Sequence, residues 1–343
     1  MPHLLISATH RSSGKTTVSV GLCAAFAARG LAVQAFKKGP DYIDPMWLAR
    51  ATGRACYNLD PRLMRWDEID ALFARRSAGT DLALIEGNQG LYDGLALDGS
   101  NSNAALAHHL GAPVVLVVDA RGMTRGIAPL LLGYQAFDRA IRIAGVILNR
   151  VGGSRHEAKL RAVIEHYTDI PVLGAVHQDE RISIVERHLG LVPSNEAREA
   201  ALQIERIGAA AAAQVDLPRL LEIARGAQAP AIGALAPQGA PPRRGGRLRI
   251  GVAMDRAFGF YYADDLEALR ASGAELVPFD TLRDGSLPPL DGAFIGGGFP
   301  ESCAAELEAN AGMRSQMRAA IEAGLPVYAE CGGLMYLARS LTV

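Results

Sequence analysis

Residues 4–17 constrain the fold of this chain more than any other stretch. A short apolar run, Leu4–Ala8, leads into Thr9-His10-Arg11-Ser12-Ser13-Gly14-Lys15-Thr16-Thr17, and a helical pattern follows to Arg29. A buried strand, a loop of small residues, Gly-Lys-Thr and a helix form a phosphate-binding loop. Backbone N–H groups and the helix N-terminus cradle phosphates, the lysine reaches the outer phosphates, and the threonine hydroxyl faces Mg2+. Ligands of such loops lie at the C-terminal ends of a parallel sheet, so the rest of the chain has to supply one. One position departs from the usual pattern. Thr9 stands six residues before Lys15, where glycine is expected, and a tight turn there predicts strain for a residue with a side chain.

The chain supplies the sheet. Leu4–Ala8, Ala32–Phe36, Leu82–Glu86, Val114–Asp119, Ala144–Asn149 and Val172–Val176 read as strands, with helical segments such as Lys15–Arg29 and Arg155–His166 between them. The runs are apolar throughout rather than alternating, as parallel strands buried on both faces must be. This predicts an α/β fold with an N-terminal P-loop NTPase-like doubly wound sheet. Residues 226–246 are rich in Pro, Gly and Ala and read as a linker. An α/β pattern then restarts, with strands Leu248–Met254, Leu276–Phe279, Ala293–Ile295 and Val327–Ala329 and a helix over Asp264–Ser272. The expected organisation is a domain over 1–225, the linker, and a second α/β piece over 247–343. At about 100–200 residues per domain, a chain of 343 residues suggests two domains, as this division gives. The second piece ends in a helical pattern just after a strand, which predicts an incomplete domain.

Composition narrows the function. Lys+Arg number 35 and Asp+Glu 36, a net charge of −1, which argues against a dedicated nucleic-acid binder. Aromatic residues make up only 6%, too few for base-stacking platforms as a main theme. The cysteines, Cys23, Cys56, Cys303 and Cys331, form no CxxC pair, so neither a disulfide scaffold nor a zinc site is expected. The N-terminus has no basic leader before a long apolar region, and no apolar run reaches the ~18 residues of a membrane span. The expectation is a cytoplasmic protein without membrane partners.

Groups suited to phosphoryl chemistry follow the strands. Ala32–Phe36 leads into Lys37-Lys38-Gly39-Pro40-Asp41-Tyr42-Ile43-Asp44-Pro45, and Leu82–Ile85 into Glu86-Gly87, with Tyr92-Asp93-Gly94 close behind. Carboxylates at these ends can hold Mg2+ directly or through water. Glu86 reads as such a ligand or as a capping carboxylate. Lys37 and Lys38 read as a solvated pair or as substrate-binding cations. Asn149, closing its strand, reads as a turn residue or as a reader of the nucleotide base.

Near the C-terminus, Val327-Tyr328-Ala329-Glu330-Cys331-Gly332-Gly333 places a cysteine between a strand and a helix. This is the logic of a nucleophile elbow, in which glycines permit a sharp turn and the helix N-terminus favours an anion. The N–H after Cys331, on Gly332, and a group from Gly296-Gly297-Gly298 are candidate oxyanion donors. The other reading is a buried structural cysteine. A nucleophilic cysteine needs a base, normally histidine, and none of the eight histidines follows His188. The expectation is that the base lies outside this sequence and that glutamine-driven activity of these residues alone is weak.

Taken together, the phosphate loop, the Phe36–Pro45 run and the Cys331 elbow resemble the cobyrinic acid a,c-diamide synthase family. Further matching stretches are Glu86-Gly87 with Gly90–Gly94, Val118–Arg125, Gly145–Gly152 and Glu186–Pro193. The resemblance implies an ATP- and Mg2+-dependent ligase that phosphorylates acetate carboxylates of a corrin-type tetrapyrrole. Ammonia then displaces the phosphate, at c and then at a, and a class I glutamine amidotransferase-like domain makes that ammonia through a Cys331 thioester. It implies ATP contacts at Ser12, Ser13, Gly14, Lys15, Thr16, Thr17 and Asn149, and metal contacts at Thr16, Glu86 and Asp41. Asp41, Asp44 and Asp93 are implied around the reacting carboxylate, Lys37, Lys38, Tyr42 and Ile43 around the substrate, and Gly297 and Gly332 in the oxyanion hole. A homodimer is one assembly open to such a chain, and the sequence does not fix the oligomeric state. The stretch from Asn88 to Asn103 also looks like a subgroup thought to amidate sirohaem, and a third group works on nickel sirohydrochlorin. A partner-regulating ATPase shares the fold, but it would carry a lysine five residues before Lys15, where His10 stands.

Overall fold

The computed structural model describes residues 1–187, 190–197, 199–228 and 247–342. The linker expectation therefore falls outside the described residues from 229 to 246, as do His188 and Leu189. Two compact units emerge: Met1–Val192 with Glu199–Leu235, and Pro193–Arg198 with Ala236–Val343. The short segment beginning at Pro193 thus groups with the second unit rather than with the N-terminal domain, and Asn195 Nδ2 donates to the Asp255 carbonyl there at 2.7 Å.

The first unit runs β1 (His3–Ala8), α1 (Lys15–Ala27), β2 (Val33–Lys38), α2 (Ile43–Thr52), β3 (Tyr57–Leu59), α3 (Trp66–Ser77), β4 (Leu82–Glu86), α4 (Asn103–Leu110), β5 (Val114–Asp119), α5 (Ile127–Phe137), β6 (Ile143–Val151), α6 (Ser154–Tyr167) and β7 (Val172–His177). A two-stranded piece, β8 (Glu186–Arg187) with β9 (Gly190–Leu191), precedes α7 (Ala200–Gln214) and α8 (Leu217–Arg225). The sheet order is β3-β2-β4-β1-β5-β6-β7, and every pairing in it is parallel. Every residue of β1, β2, β4 and β5 is buried, which is why β1, β4 and β5 read as largely apolar runs, while β2 buries Gln34, Lys37 and Lys38 as well.

Register decides what meets at the ligand edge. Ile6 pairs with Glu86, Lys37 with Glu86, and Asp119 with Asn149. β1 lies between β4 and β5, where the strand order reverses, so the loop after β1 opens at the switch point. Two sequence readings change here. β2 does not stop at Phe36 but continues through Lys38. β3 is only three residues long and carries a polar Asn58, too short and too mixed to stand out as a strand.

In the second unit β10 (Arg249–Ala253), α9 (Ala263–Ala271), β11 (Glu275–Phe279), β12 (Gly292–Ile295), α10 (Ala304–Ala309), α11 (Ala311–Glu322), β13 (Val327–Ala329) and α12 (Gly332–Tyr336) follow in order. Its parallel sheet has the order β11-β10-β12-β13. Ala253, Phe258, Phe279, Ile295, Leu307, Met313 and Met317 form its core.

Candidate functional site

The phosphate loop spans the turn between β1 and α1. Its backbone reverses at Ser12, with φ of 60°, and at Gly14, with φ of +86°. Thr9 does not lie in the left-handed region, so the strain expected at that position is absent and the turn is made farther along. Thr9 instead pairs with β5 and α5: its N–H donates to the Val117 carbonyl at 3.3 Å, and its own carbonyl accepts from Tyr134 Oη. No side chain caps α1 and its first turn has no acidic residue, which leaves the N–H groups of that turn open to an anion.

The loop is held from outside. Asn149 Nδ2 donates to the Ser13 carbonyl at 2.8 Å. Arg150 Nη1 donates to the Ser12 carbonyl and to Asp119 Oδ2, both at 2.7 Å. Ser13 Oγ lies 2.8 Å from the His10 carbonyl and from His10 Nδ1. The side-chain amide nitrogen of Asn149 is therefore engaged with the loop backbone. Thr17 is half-buried one residue into the helix.

Beside the loop the structure gathers Lys15, Thr16, Lys37, Asp44 and Glu86. Thr16 Oγ1 donates to Glu86 Oε1 at 2.7 Å and lies 3.2 Å from Asp44 Oδ2. Lys37 Nζ donates to Asp44 Oδ2 at 2.5 Å, to Glu86 Oε1 at 3.1 Å and to the Gly87 carbonyl at 3.2 Å, and pairs with Asp41 Oδ2 at 3.6 Å. Lys37 is 2% exposed and Lys38 6%, so the solvated-pair reading of these lysines does not hold. Lys37 persists as a buried cation because three carboxylates face it, whereas Lys38 is met by an amide oxygen and a backbone carbonyl.

The electrostatics follow from burial and from that pairing. Burial opposes charge on Asp44, but Lys37 outweighs it and holds the carboxyl below its usual range. Burial likewise opposes charge on Lys37, and Asp44, Glu86 and Asp41 together hold its ammonium well above the ordinary lysine value. Glu86 is pushed up to about 7 by burial, against the pull of Lys37. Asp41 is raised by burial and by Asp44. Lys15 is brought down to about 8 by burial and by Lys37.

Two groups remain unused. Glu86 Oε2 is buried and has no hydrogen-bond partner among the described residues. Lys15 makes no hydrogen bond or ion pair among them. No three His, Cys, Asp or Glu side chains there converge as a metal cage by themselves. A threonine hydroxyl, two carboxylates with one orphaned oxygen, and an open helix N-terminus fit Mg2+ held jointly with nucleotide phosphates, as Mg2+ is usually held.

The remaining sequence candidates are placed differently. The structure brings Asp44, not Asp41, to the Thr16 hydroxyl; Asp41 Oδ1 caps α2 by accepting from the N–H groups of Ile43 at 2.9 Å and Asp44 at 3.0 Å. Tyr42 and Ile43 are half-buried at the start of that helix. Lys38 Nζ is 3.2 Å from Asn88 Oδ1 and 2.5 Å from the Asn101 carbonyl, so it ties down the loop after β4. Asp93 Oδ2 accepts from the Gly90 N–H at 2.9 Å, and no hydrogen bond joins it to the carboxylate cluster. It lines a separate cavity of about 760 Å³ with Tyr92, Leu95, Leu97, His108 and Phe137.

Several positioning residues escape sequence reading. Asn58 Nδ2 donates to the carbonyls of Gly39 and Asp41, both at 2.8 Å, and so shapes the turn after β2. Asn103, fully buried, donates to Ser7 Oγ and the Gly90 carbonyl and accepts from the Asn88 N–H. Tyr92 Oη reaches the Tyr134 carbonyl at 2.7 Å, and Tyr134 reaches the phosphate loop. Of these Tyr92 and Asn103 lie in a stretch already notable in the sequence, whereas Asn58 and Tyr134 carried no signal.

In the second unit Cys331 has φ of 49° and ψ of −117°, a strained backbone for a residue with a side chain, and it is exposed. The turn is tight: a Cβ on Gly333 would lie 2.1 Å from the Ile295 carbonyl, and one on Gly297 would lie 3.3 Å from Cys331 Cβ. The Gly297 carbonyl accepts from the N–H groups of Gly259 and Phe260. Gly332 donates no backbone N–H bond among the described residues, whereas Gly333 donates to Gly296 and Glu330. Tyr261, which no sequence pattern flagged, accepts from the Gly296 N–H at 2.9 Å and donates to the Ala253 carbonyl at 2.7 Å, pinning the glycine run.

Comparison with known proteins agrees with this division. Residues 4–192 match the CobQ/CobB/MinD/ParA nucleotide binding domain, and residues 249–343 match the CobB/CobQ-like glutamine amidotransferase domain. The protein is thus a carbon–nitrogen ligase that joins a P-loop nucleotide-binding domain to a glutamine amidotransferase domain. Proteins named cobyrinate a,c-diamide synthase are 49% identical in Magnetococcus marinus, over 99% of this chain and 74% of that protein, and 44% identical in Methanosarcina acetivorans, over 100% and 71%. The chain belongs to the cobyrinate a,c-diamide synthase family. No helix among the described residues is long and apolar enough to cross a membrane.

Proposed function

We propose that this protein amidates the a and c acetate carboxylates of cobyrinate, the compound in its relatives' name, using ATP–Mg2+ and ammonia drawn from glutamine, in the cytoplasm. The observation that carries this reading is the buried assembly of Lys15, Thr16, Lys37, Asp44 and Glu86 beside the open end of α1. Such a site suits transfer of a phosphoryl group to a carboxylate, because fixed cations in a water-poor setting oppose the charge that gathers on the transferring group.

The loop N–H groups bind the β- and γ-phosphates, and Lys15 sets its ammonium against the transferring phosphoryl. Thr16, Asp44 and Glu86 are the residues that would hold Mg2+. When bound, Mg2+ neutralises charge on the outer phosphates. The substrate carboxylate oxygen attacks the γ-phosphorus and ADP leaves, giving an acyl phosphate. Ammonia attacks the acyl carbon, phosphate leaves with the former carboxylate oxygen, and the ammonium proton passes to solvent. Asp41 and Asn58 fix the turn that presents Tyr42 and Ile43 to the substrate. In the second unit, the Cys331 sulfur attacks the glutamine carboxamide carbon, the C–N bond breaks and the thiol proton leaves with the ammonia. The Gly332 N–H faces the oxyanion, and water hydrolyses the thioester to glutamate and restores the thiol.

The test is isotopic. Cobyrinic acid labelled with 18O in its acetate groups is incubated with ATP, Mg2+ and ammonium chloride. The reading expects ADP as the nucleotide product and one labelled oxygen in phosphate for each amide formed. AMP as product, or phosphate without label, contradicts it. Sirohaem and nickel sirohydrochlorin run in parallel, and preferential amidation of either one would replace cobyrinate as the substrate.

A further inference from the structure

The most unusual arrangement in the first unit is that one ammonium sits on carboxylate oxygens beside the Thr16 hydroxyl, in the cluster that fits a divalent cation. Lys37 Nζ and Thr16 Oγ1 converge on the same two atoms, Glu86 Oε1 and Asp44 Oδ2. Lys37 is shut off from solvent at 2% exposure and anchored in a strand whose neighbours are fully buried, so its head group is positioned rather than mobile on the surface. The Thr16 hydroxyl donates its proton to the carboxylates, which leaves its oxygen lone pairs for a metal. Meanwhile Glu86 Oε2 has no partner and Lys15, the second cation of the cluster, has no hydrogen bond among the described residues.

We infer that Lys37 is an internal stand-in for the metal. In the nucleotide-free protein its ammonium neutralises Asp44 and Glu86 and keeps three carboxylates together without a metal. Arrival of the Mg2+–nucleotide takes those oxygens and drives the ammonium off them, towards the substrate anion. The inference rests on the reading that Thr16, Asp44 and Glu86 hold Mg2+. Its physical basis is simple. An ammonium and a divalent cation sharing the same two oxygens repel each other, and in a buried site that repulsion is costly. Two cations are needed over the reaction, one for the phosphoryl group and one for the attacking carboxylate, and Lys37 is the one that can be released by exchange. This makes Lys37 a positioning residue whose place depends on the ligand. It also accounts for a lysine inside a buried strand, where neither an apolar core nor a solvated pair explains it.

The first measurement uses metal alone. Mn2+, as a spin-active substitute for Mg2+, is titrated into the nucleotide-free protein and the free ion followed by electron paramagnetic resonance. Wild type binds weakly, and Lys37→Met, which removes the competing charge, binds at least about tenfold more tightly. Equal or weaker binding by the variant overturns the inference. The second measurement needs no variant and so does not depend on Lys37→Met folding: crystal structures of wild type with and without Mg2+–ADP. The inference expects Lys37 Nζ to leave both Asp44 and Glu86 when the metal is bound. Retention of both bonds beside a bound Mg2+ overturns it while leaving the metal assignment intact. ADP binding that does not respond to Mg2+ in either protein overturns the metal assignment and this inference with it.

Discussion

Asn149 holds the phosphate loop by its backbone: its side-chain amide donates to the Ser13 carbonyl at 2.8 Å, and the same nitrogen stands 2.1 Å from where a Cβ on Gly14 would lie. Gly14 also has φ of +86°, a conformation that side chains disfavour. Gly14→Ala therefore meets both a clash and a strained backbone. The expected result is a protein with wild-type circular dichroism whose ADP affinity, measured by calorimetry, falls by about 1–3 kcal/mol. Unchanged affinity would show that the loop is not built around this contact.

Glu86 couples the site to pH without any metal. Its folded-state value near 7 lies above the ordinary 4.5, so folding favours the protonated carboxyl. The stability this contributes is fully present below about 4.5 and is lost as pH rises through about 7. Glu86→Gln has no proton to lose. In EDTA, the variant should gain on wild type by about 2 kcal/mol between about pH 5 and about pH 8, read from urea unfolding at each pH. A gap that is constant with pH, or that moves the other way, contradicts the burial argument.

Tyr134 reaches the Thr9 carbonyl from α5, and Tyr92 reaches Tyr134 in turn. This links the loop after β4 to the phosphate loop. Tyr134→Phe removes one hydrogen bond and leaves the ring. The expected effect is a KM for ATP raised about fivefold with kcat nearly unchanged, as a net loss of about 1 kcal/mol of ground-state positioning gives. A fall in kcat at constant KM would place the hydroxyl in the chemistry instead.

Cysteine reactivity separates the elbow from the core. Cys23, Cys56 and Cys303 are buried and burial pushes each thiol up, whereas Cys331 is exposed at its turn. Brief treatment with iodoacetamide followed by peptide mass mapping should modify Cys331 first by at least about tenfold, because it is accessible while burial shields the other three thiols and holds them protonated. Comparable labelling of any buried cysteine would mean that the unit opens readily or that Cys331 is shielded.

Much of this was readable in the sequence because it is local. Gly14-Lys15-Thr16 between a strand and a helix announces its own function, and strands buried on both faces have to be apolar throughout. What stayed hidden depends on which strands are neighbours. The pairing of Lys37 with Glu86 follows from β2 lying beside β4, a relation that no spacing along the chain reveals. For the same reason two consecutive lysines looked like a solvated pair although both are buried. Asp41 and Asp44 could not be ranked by sequence, since the choice turns on α2 starting at Ile43 and drawing Asp41 into its cap. The strain assigned to Thr9 moved to Ser12, and Gly14 takes the second positive φ without strain, because this loop reverses later than the usual pattern places it.

The most direct measurement of the central claim is amide formation on cobyrinic acid with ATP, Mg2+ and ammonium chloride, followed by mass spectrometry for wild type and Lys15→Ala. Lys15 is buried against the cluster and has no hydrogen bond of its own among the described residues, which suits it to an incoming phosphoryl group. Wild type should replace carboxyl by carboxamide with matching release of ADP. Lys15→Ala, folded as judged by circular dichroism, should be slower by about 100-fold or more, the loss of a few kcal/mol of transition-state stabilisation. Amidation by the variant at the wild-type rate, or no ATP-dependent amide from wild type on any of the three tetrapyrroles, would contradict the account.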